Sequence, residues 1–233
     1  MKKSLVLAII PARGGSKGIY RKNLVNIAGK PMLAYTIEAA LKSDMIDQVW
    51  VSSDDEDILS VASKYGAKII FRPSEFADDT ASSVDVVQHF FSCLSESIKL
   101  NNPLIIYLQP TSPLRNANHI NSALTAMNSI NADGVISVVA ADKPPQKSFK
   151  LDSNGRLISL FDESLSNARR QDLPNCYYPN GAIYAFRMND FISRKGFPSN
   201  GSIPFIMSKS DSIDVDTISD LIIVEAALGE QNG

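Results

Sequence analysis

The sequence has 233 residues, 44% hydrophobic and 21% charged, the proportions of a soluble globular protein of a length that one α/β domain can fill. Twenty-three basic residues against 25 acidic ones leave a net charge of -2, so no face tracking a nucleic-acid backbone is expected, although a local basic site remains open. Two cysteines, Cys93 and Cys176, are too few for a disulfide framework or a cysteine zinc site and fit a reduced, cytoplasmic protein.

Leu5 to Ile10 is the first predicted strand, ended by Pro11. It is too short for a signal-peptide core or a membrane span, so no membrane partner is expected. A helix follows from about Pro31, a residue favoured at the first helical position, with Leu33, Ile37, Ala40 and Leu41 on one face. Gln48 to Ser53 is a second strand, Ile58, Val61, Ala62 and Tyr65 mark the next helix, and Lys68 to Phe71 is a third strand. Ser82, with Asp85 three residues on, reads as the cap of a helix whose stripe is Val84, Val87, Phe91, Leu94 and Ile98. Leu104 to Leu108 is a fourth strand, Ile120, Leu124 and Met127 mark another helix, and Gly134 to Val139 is another strand. Strands alternating with helices predict right-handed crossovers and a doubly wound, mostly parallel sheet covered on both faces, in one domain over 1–233. After Ala140 the rhythm breaks. Pro144, Pro145, the turn signal Asn154-Gly155 and short apolar pieces predict hairpins and loops, an insertion over roughly 141–179. A strand over Ala182 to Phe186 and a helix from Thr217 to about Leu228 complete the chain.

Open α/β sheets bind ligands beyond the carboxyl ends of their strands, which directs attention to three loops. PARGGSKGIYRKN follows the first strand. Gly14, Gly15 and Gly18 allow close backbone approach, and Arg13, Lys17, Arg21 and Lys22 put four cations on about ten residues, the chemistry a triphosphate needs. The run is neither the dinucleotide fingerprint, which disfavours a dehydrogenase, nor the Walker loop. QPTSPLR follows the fourth strand and offers an amide, two hydroxyls and a guanidinium on a loop stiffened by two prolines. In SIDVDT, Asp214 and Asp216 share a face if the segment is a strand, and two converging carboxylates suit magnesium. The alternative is that Thr217 and Asp220 form a capping box and Asp216 is only a polar residue before the cap.

Together these segments resemble the CMP-sialic acid synthetases, the acylneuraminate cytidylyltransferases, over nearly the whole chain. IIPARGGSKGI with RKN, VSSD, RPSEFADDTASS, QPTSPLR, the pair RRQDLP and PNGAIY, and SIDVDT follow in family order. Synthetases acting on the eight-carbon sugar KDO normally read G-K-P where this chain has Arg21-Lys22-Asn23, which favours the nine-carbon branch. The resemblance implies a nucleotidyltransferase, Rossmann-like fold whose inserted segment, here 141–179, makes a homodimer contact. It implies transfer of CMP from CTP to the anomeric hydroxyl of a nonulosonic acid, N-acetylneuraminate or a relative, with release of pyrophosphate.

By the same resemblance Arg13, Lys17 and Lys22 hold the triphosphate beside Gly14, Gly15 and Ser16, and Asn23 contacts the nucleotide. Arg72 and Ser83 read the cytosine edge, the alternatives being a surface ion pair for Arg72 and a capping role around Ser83. Gln109, Lys147, Arg170, Tyr184 and Phe197 face the sugar. Arg169 competes with Arg170 for the carboxylate, and Tyr184 and Phe197 also read as core aromatics. Asp214 and Asp216 carry Mg2+ and, with Arg13 and Lys17, the chemistry. No general base stands out; His89 and His119 read as surface or packing residues. Two further readings remain: the same chemistry on a legionaminic, pseudaminic or KDO-type acid, and a nucleotide-binding regulator that has lost catalysis.

Overall fold

Four consecutive residues, Leu7 to Ile10, are completely buried in the first strand, because it is an interior strand of a sheet covered by helices on both faces. The structure, a computed structural model, describes residues 5–16, 18–77 and 81–231, with backbone only for Glu230 and Gln231. Lys17 lies outside the described residues, as do Asp78, Asp79 and Thr80 of the RPSEFADDTASS motif.

In chain order the strands are β1 (Val6–Pro11), β2 (Asn26–Ile27), β3 (Lys30–Pro31), β4 (Gln48–Ser53), β5 (Lys68–Phe71), β6 (Leu104–Tyr107), β7 (Gly134–Ala140), β8 (Phe149–Leu151), β9 (Leu157–Ser159), β10 (Tyr177–Arg187) and β11 (Ile203–Ile206). The helices are α1 (Met32–Leu41), α2 (Glu56–Lys64), α3 (Ser83–Cys93), α4 (Glu96–Lys99), α5 (Ala117–Ser129), α6 (Glu163–Ser166), α7 (Met188–Arg194) and α8 (Ile218–Gln231). Seven strands form one sheet in the order β11-β7-β10-β6-β1-β4-β5, parallel except for β10, which runs against both neighbours. The doubly wound, mostly parallel sheet read from the sequence is therefore the observed one.

Alternation along β1 divides the core. Ala8 and Ile10 join Leu33 and Ile37 of α1, Ile58 of α2 and Leu124 of α5 on one face. Leu7 and Ile9 join Val87, Phe90 and Phe91 of α3 and Phe191 of α7 on the other. A third cluster seats α8, through Val224 and Leu228, against Ile19, Ile27, Met32 and Val215. Each fully buried aliphatic side chain contributes about 1.5–3 kcal/mol relative to exposure. No described helix is long and apolar enough to cross a membrane.

Several elements depart from the sequence reading. The stripe from Val84 to Ile98 is two helices, because Leu94 leaves helical geometry and Ser95 starts α4. The capping box of Ser82 and Asp85 is present. Strand β10 begins at Tyr177 and carries an irregularity between Pro179 and Tyr184, so only its regular half read as a strand. Strand β11 went unread because Pro204 sits inside it; an edge strand accommodates the missing donor. The insertion holds the β8–β9 hairpin and α6.

Candidate active site

A cavity of about 410 Å³ lies at the carboxyl edge of the sheet, lined by the ends of β1 and β6, by the segments that follow β1, β5 and β6, and by Asp216. Arg13, Ser16, Lys22, Asn23, Arg72, Ser83, Gln109 and Asp216, all singled out in the sequence, line it together. Gly14, Gly15, Lys147, Arg170, Tyr184, Phe197 and Asp214 are not among its lining residues.

The glycine-rich loop is fastened from beneath. The Gly14 amide donates to Asp54 Oδ1 at 3.0 Å, so this amide anchors the loop and is not a free phosphate donor. A Cβ on Gly14 would come within 2.8 Å of the Asp55 carboxylate, whereas one on Gly15 would meet nothing within 4 Å. Arg21, left-handed at φ 49, donates to both oxygens of Asp55 and to Asp57, and so ties the loop to the start of α2. Asn23 is buried and its Nδ2 donates to the Arg13 carbonyl at 2.9 Å, which fixes the loop backbone beside the cavity. Lys22 reaches across it: Nζ donates to the Val215 carbonyl at 2.7 Å and to Asp216 Oδ1 at 2.9 Å.

The acidic segment is not a ladder strand. It is a stretch of chain between a 3-10 turn and α8, tied to the loop after β6 by a bond from the Val215 amide to the Thr111 carbonyl at 2.8 Å. The alternation survives without the sheet: Val215 is fully buried while Asp214 and Asp216 keep solvent access on the other side. The capping reading is also present and does not compete. Asp220 Oδ2 accepts from the Thr217 amide and hydroxyl and from the Asp216 amide, so the box leaves the Asp216 carboxylate to face Lys22. Asp214 is solvent-accessible, yet partial desolvation by the chain around it raises its pKa; the charge of Asp216 adds to the rise, and a bond from Thr111 opposes it. A cation there would relieve both sources of the rise. Among the described residues no third acidic or histidine side chain joins these two. Such a pair suits magnesium, which keeps water and takes one or two carboxylates plus substrate phosphate.

At the opposite side Arg72 is 3% exposed. Desolvation lowers its pKa, with Asp54 opposing from 3.9 Å, too far for a hydrogen bond. Its Nε and Nη2 have no acceptor among the described residues. This is a buried guanidinium, not a surface ion pair. Ser83, at the first turn of α3, accepts from the Tyr107 hydroxyl at 3.0 Å, while the cap itself is Ser82.

The sugar candidates divide. Gln109 lines the cavity, and Gly181, at φ 79 in the irregular part of β10, holds its position: a Cβ there would sit 2.6 Å from Gln109 Oε1. Tyr184 and Phe197 pack on each other and on Tyr107, with ring centroids 5.3, 6.2 and 4.9 Å apart, as an aromatic layer behind the cavity wall. Lys147 and Arg170 lie in the insertion, in short 3-10 turns. Arg169 is paired with Asp172 at 2.7 Å, which leaves Arg170 as the available guanidinium of the two. His89 stacks on Phe76 and His119 accepts from the Asn116 amide in a helix cap, so both pack and neither lines the cavity. Tyr107 and Asp54 were missed in the sequence, and Thr111 entered there only as one of the two hydroxyls of QPTSPLR. Tyr107 and Thr111 adjoin or lie within the QPTSPLR motif, and Asp54 ends VSSD, so motif membership was the available signal.

The cytidylyltransferase family model matches residues 7–197. An N-acylneuraminate cytidylyltransferase of Escherichia coli is 39% identical over 217 residues, 92% of this chain and 50% of that protein. A counterpart from Streptococcus agalactiae is 36% identical over 94% of this chain and 52% of its own length, so the chain spans about half the length of these curated relatives. A pseudaminic acid cytidylyltransferase of Campylobacter jejuni is 38% identical over 221 residues, 92% of both proteins. Among solved structures, CMP:2-keto-3-deoxy-manno-octonic acid synthetase in complex with CTP superposes with a TM-score of 0.71 at 20% identity, covering 98% of this chain and 100% of that one.

Proposed function

The chain belongs to the cytidylyltransferase family, and on that premise we propose that it transfers CMP from CTP to the anomeric hydroxyl of a nonulosonic acid, releasing pyrophosphate. The observation that carries this reading is the two-ended cavity, with the buried Arg72 and the solvent-accessible Ser83 at one side and Lys22 with Asp216 at the other. The cytosine edge offers acceptors at O2 and N3, which a guanidinium and a hydroxyl can meet. Arg13, Ser16 and Lys22 neutralise and orient the phosphates, and Lys17 belongs with them by sequence position.

The chemistry is an in-line displacement at the α-phosphorus, in which positioning and charge neutralisation dominate. Asp214 and Asp216 would hold magnesium, which when bound polarises the α-phosphate and lowers the pKa of a nearby hydroxyl. Lys22, which donates to Asp216 and the Val215 carbonyl, would exchange these partners for an arriving phosphate. Gln109 fixes the sugar near the displaced bond, and Arg170 or Lys147 pairs with its carboxylate once the insertion is brought to the site. A cytoplasmic site for the reaction is part of this proposal, and the two free thiols support it.

A panel of nonulosonic acids with CTP and magnesium, read as pyrophosphate release, tests the reaction. N-acetylneuraminate is the first substrate expected to turn over; pseudaminic acid is the second reading, favoured by the relative of matching length. In the same assay CTP is expected to exceed UTP by about ten- to hundredfold for each opposed base contact. Equal turnover of CTP and UTP would remove Arg72 and Ser83 from the base site, and no release with any acid would leave the regulator reading.

The insertion is proposed to form a homodimer. Its hairpin leaves Phe149, Leu151, Leu157 and Ile158 at 45–66% exposure, with Leu160 and Phe161 beyond it at 53%, an apolar surface unusual on a monomer. Light scattering at micromolar concentration is expected to give about twice the 25.4 kDa of one chain. A monomer mass there would send the search for the hairpin's partner elsewhere.

A further inference from the structure

Tyr107 ends β6 with its ring buried at 3% exposure, and its hydroxyl donates to Ser83 Oγ at 3.0 Å; both residues line the cavity. The ring has little freedom. Phe197 meets it at 4.9 Å between centroids with an interplanar angle of 71°, and Tyr184 at 6.2 Å and 74°. Burial pushes the phenol up to about 12, so it remains a protonated donor throughout the physiological range. A serine hydroxyl has one hydrogen and two lone pairs, and alone it rotates to donate or accept as its ligand requires. With a fixed donor occupying one lone pair, the Ser83 hydrogen is turned away from Tyr107.

We propose that Tyr107 is a positioning residue that holds Ser83 as a hydrogen-bond donor toward the base, and so carries part of the choice of CTP over UTP. The inference rests on Ser83 contacting the base, as read above. Cytosine N3 accepts a hydrogen bond, whereas uracil N3 carries a hydrogen. A serine held as donor matches the first and opposes the second. A serine released to rotate could accept from uracil. Loss of the Tyr107 hydroxyl should therefore weaken CTP and relieve UTP, while a role in packing alone would weaken both equally.

The test is Tyr107→Phe, which keeps the ring and its aromatic neighbours. The ratio of kcat/KM for CTP over UTP is expected to fall about fivefold to tenfold, the scale of one hydrogen bond. KM for the sugar and kcat with CTP should stay near wild type. Because Tyr107 acts through Ser83, the double variant with Ser83→Ala should show the same ratio as Ser83→Ala alone. Calorimetric titration with each nucleotide should repeat the ratio without turnover. An unchanged ratio in Tyr107→Phe, beside a lowered one in Ser83→Ala, would overturn the inference and keep the base contact. A wild-type ratio in Ser83→Ala would instead remove the base contact on which the inference stands.

Discussion

Asp214→Asn is expected to lower turnover by about 10²–10³-fold, the scale of losing one preorganised electrostatic group, while raising the melting temperature of the metal-free protein at neutral pH. The two effects share a cause. Desolvation, with repulsion from Asp216, holds the Asp214 carboxyl above its ordinary range in the fold. Between the ordinary carboxylate value of about 4 and the raised value, the folded protein keeps a proton that the unfolded chain has lost. Stability therefore falls as pH rises through that window and stays lower above it. Asparagine carries no charge, so its gain should be complete at neutral pH and vanish below about pH 4. CTP with magnesium should restore the wild-type melting temperature by binding the native state, and should do so much less in the variant. Asp216→Asn should lose comparable turnover, because the helix cap rests on Thr217 and Asp220 and does not use the Asp216 side chain. Thermal melts across pH with and without CTP and magnesium, beside pyrophosphate release, check both. Near-normal turnover in Asp214→Asn would take that residue out of the site.

What the sequence made legible follows from how local each signal is. Buried parallel strands such as Val6–Pro11 and Leu104–Tyr107 announce themselves as continuous apolar runs, and their order predicts the sheet. The loops after β1 and β6 were legible because strand ends in such sheets meet at one edge. Bonds between distant segments were not. Nothing near Gly14 in sequence indicates that its amide is spent on Asp54, 40 residues away. Likewise, Tyr107 read as the end of an apolar run, and only the fold puts its hydroxyl on Ser83. Tyr184 and Phe197 show the reverse case. The family resemblance implied a sugar wall, and the packing adds a second task, clamping the ring of Tyr107.

The other large effect is expected at Gly18. Its Cα faces the main chain of the acidic segment so closely that a Cβ would overlap the Asp216 carbonyl oxygen. A side-chain end could swing aside, but this carbonyl belongs to a segment pinned by the Val215–Thr111 bond and by the bonds from Asp216 and Thr217 to Asp220. Gly18→Ala must therefore push the glycine-rich loop and the aspartate segment apart, and Lys22 and Asp216 move with them. Their separation is what aligns triphosphate and cation in the proposed reaction, and a displacement of about 1 Å can cost about 10²-fold. Turnover should fall by about that factor, with the apparent magnesium requirement raised and the melting temperature little changed, because the contact lies at the rim of the core. Gly15→Ala is the comparison: its Cβ meets nothing within 4 Å and its amide is retained, so its loss should be far smaller. Equal losses in the two variants would trace the glycines to loop flexibility, and the close approach of Gly18 to Asp216 would then have no part in catalysis.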